Sequence, residues 1–251
     1  MTAMAIELER VKKSFGDTEI IRGIDMRIPR GERHALIGPN GAGKSTLFNL
    51  ISGALAPTAG EIRLNGSPIQ GAPAFRISRL GLSRSFQVTN LFHTMSVYEN
   101  IRCAALWSLG YHYGFWRPVA RLADATQRTQ EILNLIHLDQ QRFSPAGLLS
   151  YADQRALEIG VTIAGGAELI LLDEPTAGMS HAETERAVAL IRRISEGRTL
   201  MIVEHDMNVV FGLADRISVL VYGEIIACGS SEEIRRNREV RAAYLGDEGP
   251  A

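Results

Sequence analysis

Gly38, Pro39, Asn40, Gly41, Ala42, Gly43, Lys44, Ser45 and Thr46 carry the residue types and spacing that hold a phosphate. They fit G-x-x-x-x-G-K-[ST]. Glycines at 38, 41 and 43 let the backbone curl into a nest whose N–H groups point at phosphate oxygens. Lys44 can place a positive charge on the outer phosphates, and the Ser45 hydroxyl can ligate Mg²⁺. The helix that starts here adds about half a positive charge at its N-terminus. A plain glycine-rich turn has no need of Lys-Ser at that spacing, so the stretch reads as a nucleotide site.

The elements around it must deliver that loop and bring other chemistry to it. Residues 33–37 read as a buried strand entering the loop, and Leu47, Phe48, Leu50 and Ile51 give an apolar helical face ending at Gly53. Residues 168–174 are a near-continuous apolar run closed by Asp173 and Glu174, as a parallel strand buried on both faces requires. Two carboxylates there are costly unless they meet a metal or a reacting group. Residues 199–203 repeat the pattern and end at Glu204 and His205, and residues 216–222 form a third such strand. Ligands of open parallel α/β sheets sit outside the carboxyl ends of the strands. The phosphate loop, Asp173, Glu174 and His205 are therefore expected on one edge. There Asp173 would hold Mg²⁺ beside Ser45. Glu174, the next residue along a strand and so pointing elsewhere, would orient or deprotonate a water attacking the terminal phosphate. A lone histidine is usually structural, and only the strand-end position singles out His205.

Elsewhere the chain supplies scaffold. Residues 6–11 and 19–28 alternate apolar and polar, with a turn at 13–16 between them, and residues 60–66 form a short strand closed by Asn65-Gly66. An antiparallel sheet leading up to the loop, with a further short strand after it, is the expectation. Past Phe75 the spacing turns helical over 97–109 and 122–138. This reads as a helical lobe inserted between two halves of an α/β core. Residues 106–118 are unusually aromatic for a chain with 6% Phe, Trp and Tyr. They are either a local mini-core or a surface for a membrane partner. Ser230 to Glu233 fits a capping box for a last helix.

Whole-chain numbers exclude several classes. At 251 residues, with 45% apolar and 22% charged residues, the chain suits one large domain or two unequal lobes. A net charge of −1 gives no basic excess for nucleic acid. Cys103 and Cys228 form neither a disulfide framework nor a zinc motif, which suits a reducing cytoplasm. The first ten residues lack the regions of a signal peptide, and no apolar run is long enough to span a bilayer. Any work at a membrane is then expected to use another subunit for the spanning.

Taken together, these motifs resemble the ATP-binding subunit of ATP-binding-cassette (ABC) transporters over nearly the whole chain. The resemblance implies a P-loop NTPase core with an N-terminal antiparallel β subdomain and an inserted helical subdomain. Residues 1–86 and 158–251 would form the core and 87–157 the helical part. It implies that Phe15 stacks on adenine, and that Gln87, in S-F-Q, contacts Mg²⁺ and relays to the membrane subunit. It makes Glu174 the catalytic carboxylate, His205 the switch histidine reaching the γ-phosphate, and residues 177–180 the loop that crosses between two such subunits. Residues 149–155, L-S-Y-A-D-Q-R, stand where the signature L-S-G-G-Q is expected. Ser150 of one chain would then complete the ATP site of another in a head-to-tail dimer.

The signature departs from pattern at Ala152 and Asp153. Asp153 would either repel the phosphates or cap free N–H groups of the following helix. L-S-Y, E-H-D-M-N-V-V-F-G-L-A-D-R from Glu204 and E-V-R-A-A-Y-L-G from Glu239 are similar to the branched-chain amino-acid importer ATPases. The implied cofactors are ATP and Mg²⁺. The implied partners are transmembrane permease subunits, a second ATPase subunit and, indirectly, a solute-binding protein, with no nucleic acid. The implied place is the cytoplasmic face of the inner membrane, as a peripheral subunit. The rival readings are a soluble cassette ATPase of DNA repair or translation, and a weakly hydrolysing regulatory subunit.

Overall fold

The structure, a computed structural model, describes residues 3–85, 91–111 and 122–245. The alternating N-terminal segments form β1 (Met4–Phe15) and β2 (Thr18–Pro29), an antiparallel pair. β3 (Arg33–Ile37) runs into the phosphate loop and α1 (Lys44–Ile51). β4 (Ala59–Leu64) and β5 (Ser67–Pro68) return to the first pair, giving a four-stranded sheet ordered β2-β1-β4-β5. Asn65 and Gly66 both have positive φ, +51° and +80°, as the Asn-Gly hairpin turn requires. Alternation in β1 breaks at Arg10, where φ is +48° and the register with β2 shifts. That irregularity lets both Leu8 and Val11 face the core, although they lie three apart.

α2 (Ala74–Arg79) and β6 (Leu82–Arg84) follow. Then come the helical layer of α3 (Val97–Ser108), α4 (Ala123–Leu135) and α5 (Tyr151–Ala164). The chain closes with β7 (Leu169–Asp173), α6 (His181–Ser195), β8 (Thr199–Val203), α7 (Met207–Leu213), β9 (Arg216–Val221) and β10 (Glu224–Gly229), then α8 (Ser231–Arg236) and α9 (Arg238–Val240). The capping box at Ser230 and Glu233 does open α8, but α9 lies beyond it, so it does not start the last helix.

The second sheet has six strands, ordered β10-β9-β3-β8-β7-β6, and all neighbours are parallel except β10 and β9. Its apolar runs are explained by two cores. Leu36, Leu169, Leu171, Met201, Val203 and Leu220 pack on one face with α1 and the four-stranded sheet. Ala35, Ile37, Ile170, Leu172, Ile202 and Val219 face the other way, toward α3, α5, α6 and α7. A strand with both faces covered offers few polar positions before it ends, and His34 on β3 and Ser218 on β9 bond each other at 2.8 Å.

The helical expectation over 122–138 stops early, at Leu135. His137 takes the left-handed conformation, φ +59°, its N–H bonds the Asn134 carbonyl, and the Leu138 N–H bonds the Leu133 carbonyl. This is a Schellman stop with histidine in the place usually held by glycine. α5 crosses 157/158 without a break, carrying Leu157 and Ile159 in the core shared with the sheet. Of the aromatic stretch, residues 112–118 lie outside the described residues. Trp107 is 39% exposed beneath the Arg79 guanidinium, 4.8 Å from the ring centre. Among the described residues no helix is long and apolar enough to cross a membrane.

Candidate nucleotide site

β3, β8 and β7 are consecutive neighbours in the parallel sheet, and each ends at a residue of interest. Parallel direction puts the phosphate loop, His205 and Asp173-Glu174 at the same edge, as expected from the strand pattern.

The loop is shaped by backbone crowding. A side chain at Gly38 would place its Cβ 2.0 Å from the Leu220 carbonyl oxygen on β9, a contact no other residue could make. Gly43 caps α1 at φ +105°. The turn between β9 and β10 holds the loop from outside, the Gly223 N–H donating to the Ala42 carbonyl at 3.0 Å. Lys44 reaches back across the loop and donates to the carbonyls of Gly38 (2.7 Å) and Pro39 (3.0 Å). Burial pulls its pKa down, against the opposing pull of Glu174 and Asp173. The same ammonium is thus coupled to both carboxylates. Ser45 and Asn40 are exposed at the lip, while Gly41 has φ +79° and Thr46 is half-buried.

Asp173 is buried, 1% exposed. Its Oδ2 accepts from Arg84 at 3.1 Å, while Oδ1 has no hydrogen-bond partner among the described residues. Burying an ionised oxygen without a partner costs several kcal/mol unless a cation completes it. Among the described residues no three His, Cys, Asp or Glu side chains cluster as metal ligands. A site with one carboxylate and one hydroxyl fits Mg²⁺, which keeps waters and takes substrate phosphates as its other ligands. Asp173 and Ser45 fit that group; Gln87 lies outside the described residues.

Arg84 was not foreseen. It donates to Asn49 (2.6 Å) and Ser52 (3.0 Å) on α1 as well as to Asp173, and its guanidinium lies 5.6 Å from the Phe48 ring centre. Removing one partner of a buried pair leaves the other charge stranded, at about 3–5 kcal/mol. Arg84→Met is therefore expected to lower the unfolding free energy read from urea curves by that amount, with partial recovery when Asp173→Asn is added. An unchanged free energy would show the pair to be dispensable.

Glu174 differs from the expectation in one respect. β7 ends at Asp173, and Glu174 is not a strand residue but sits at φ +49°. Its N–H donates to the Val203 carbonyl at 2.9 Å, the last rung of β7 on β8, and its left-handed φ then turns the chain off the sheet. Its carboxylate consequently lies 3.4 Å from His205 Nδ1, with His205 half-exposed. Glu204, beside it, is buried and takes the N–H and hydroxyl of Thr176 on one oxygen. The rule that singled out Asp173 and Glu174, acids directly after an apolar strand, applies equally to Glu204.

Phe15 is 49% exposed at the end of β1, with the Lys13 ammonium 4.9 Å from its ring centre. Ser150 is the N-cap of α5 and accepts the Asp153 N–H at 3.2 Å; its hydroxyl donates to the Asp153 carboxylate at 2.8 Å. The capping is done by Ser150, and Asp153 holds the capping hydroxyl rather than free N–H groups. Ala152 and Asp153 line a cleft of about 240 Å³ together with Met179, and none of residues 38–46 borders it. A Cβ built at Gly178 would be 3.8 Å from the Tyr151 ring. The structure brings Lys44, Asp173, Glu174 and His205 together, and sets 150–153 beside the 177–180 loop of the same chain.

Comparison with known proteins agrees with this geometry. The family described as ABC transporter matches residues 21–177, and the one described as branched-chain amino acid ATP-binding cassette transporter matches residues 224–250. The high-affinity branched-chain amino acid transport ATP-binding protein BraF of Pseudomonas aeruginosa is 35% identical, over 98% of this chain and 100% of its own. LivG of Escherichia coli K12, with the same description, is 36% identical over 98% of this chain and 100% of its own. Among solved structures, an ATP-binding cassette of an ABC transporter in its ADP conformation superposes with TM-score 0.82 at 27% identity, covering 98% of this chain and 100% of that one. With a phosphate loop, a buried aspartate and a Glu–His pair at neighbouring strand ends, the chain belongs to the ABC transporter family of ATP-binding cassettes.

Proposed function

We propose that this chain is the ATP-hydrolysing subunit of a membrane importer for branched-chain or related hydrophobic amino acids, or amides. The observation that carries the ATPase part is the convergence of Lys44, Asp173, Glu174 and His205 at the ends of β3, β7 and β8. Lys44 binds the outer phosphates of ATP, and the phosphate-loop N–H groups orient them. Ser45 and Asp173, with Gln87, would hold Mg²⁺, which when bound would neutralise charge on the phosphates. Glu174 accepts the proton of the attacking water, and His205, 3.4 Å away, holds the carboxylate and the terminal phosphate in register. Phe15 presents its exposed ring to the adenine.

Two chains bind head to tail, because 150–153 lies beside 177–180 instead of beside its own phosphate loop. Ser150, with Ala152 and Asp153, then meets ATP held by the partner. The transmembrane work belongs to permease subunits, reached from the cytoplasmic face of the inner membrane. Exposed Phe75 and Trp107, with Arg79 over both rings, give those subunits an aromatic, cationic surface. A solute-binding protein chooses the cargo and acts on this chain only through the permease. The amino-acid reading is supported by the match over residues 224–250. It disfavours a cassette of DNA repair or translation.

Titrating the assembled transporter with its solute-binding protein and Leu, Ile, Val, an aromatic amino acid or urea tests this. Stimulation of ATP hydrolysis is expected to be largest with a branched-chain amino acid. Hydrolysis indifferent to every solute, or co-purification of the chain with ribosomes instead of membranes, would contradict it.

A further inference from the structure

The Glu174–His205 pair has no covalent reason to stay aligned, since its members lie on two loops 31 positions apart in the chain. Three hydrogen bonds converge on the one buried side chain between them. Glu204 is 1% exposed, and its Oε1 accepts from the Thr176 N–H (3.0 Å) and the Thr176 hydroxyl (2.6 Å). Its Oε2 accepts from the His205 N–H at 3.2 Å. Thr176 belongs to the tight turn after β7, in which the Glu174 carbonyl accepts from Ala177 and the Thr176 carbonyl accepts from Met179. That turn carries Glu174 at its start and leads into 177–180 at its end.

We propose that Glu204 is a positioning residue for hydrolysis, fastening the turn that bears Glu174 to the one that bears His205. The inference rests on the roles given above to Glu174 and His205. A carboxylate suits the place because all three of these hydrogen-bonding groups are donors. An amide of the same shape presents its own N–H₂ to one of those donors, so either the Thr176 side or the His205 side lets go. The turn is also the root of 177–180, so the same carboxylate ties the hydrolytic pair to the loop expected to meet a second subunit.

Displacing a reacting group by about 1 Å costs on the order of a hundredfold in rate. Glu204→Gln, in the full chain assembled with its membrane subunits, is expected to lower kcat by roughly 10- to 100-fold with KM for ATP within about twofold. Thr176→Val, which approaches the same bonds from the other side, should act alike. In a Glu174→Gln background either change should have less than about a twofold effect, because no base remains to be aligned. Melting curves for each variant give the folded fraction. Full kcat per folded molecule in both variants would overturn the proposal, as would a loss of the same size in the Glu174→Gln background. Glu174→Gln alone separates the failures. If it turns over like the parent, the roles of Glu174 and His205 are wrong. If it is inactive while Glu204→Gln is normal, only the positioning role is wrong.

Discussion

Glu174→Gln is expected to bind ATP as the parent chain does and to hydrolyse it about 10²–10⁴ times more slowly, the usual worth of a general base. The substitution changes little else. The backbone N–H of residue 174 still reaches the Val203 carbonyl, the φ of +49° is set by that turn, and the amide has the carboxylate's shape. What is lost is the ability to take a proton, together with the negative charge facing His205 and Lys44. The loss falls on kcat, because neither the phosphate loop nor Asp173 is disturbed. Steady-state hydrolysis together with equilibrium nucleotide binding checks both halves. A variant with near-parental turnover would remove Glu174 from the role of base.

Lys44→Ala should fail in the opposite way. The ammonium is buried against the Gly38 and Pro39 carbonyls and is coupled to Asp173 and Glu174. It is the one side-chain cation of the motif, and it accounts for the charge-assisted bonds to the outer phosphates. Such bonds contribute about 1.5–3 kcal/mol each, so the Kd for ATP is expected to rise roughly 10- to 150-fold. Calorimetric titration reads this directly. Binding unchanged by Lys44→Ala would mean that the loop holds no phosphate. The two variants together separate holding the nucleotide from cleaving it.

Some of this was legible in the chain because the cause was local. The phosphate loop is a contiguous motif, and β7, β8 and β9 announce themselves as apolar runs because both of their faces are covered. Parallel topology then turned three separate strand ends into one edge. What escaped depends on partners far along the chain. Arg84 ends a strand of only three residues, and its partners Asn49 and Asp173 lie 35 and 89 positions away. Nothing in its neighbourhood distinguishes it from a surface arginine. The left-handed φ at Glu174 comes directly after the last rung of β7 on β8 and opens the tight turn in which the Ala177 N–H donates to the Glu174 carbonyl, so a strand-like continuation past Asp173 was the natural but incorrect expectation. The end of α4 was missed because His137, not glycine, supplies the left-handed stop. At Asp153 the charge was visible, whereas its partner, the Ser150 hydroxyl, was a matter of rotamer.

The central claim is that this site drives transport by hydrolysing ATP. It is tested most directly in vesicles carrying the assembled permease and ATPase subunits, with solute-binding protein and labelled leucine supplied on the opposite side from ATP. Uptake and phosphate release should rise together with ATP in the parent, and both should vanish with Glu174→Gln in this chain. Leucine uptake that survives Glu174→Gln, or phosphate release that proceeds equally without permease and binding protein, would contradict it.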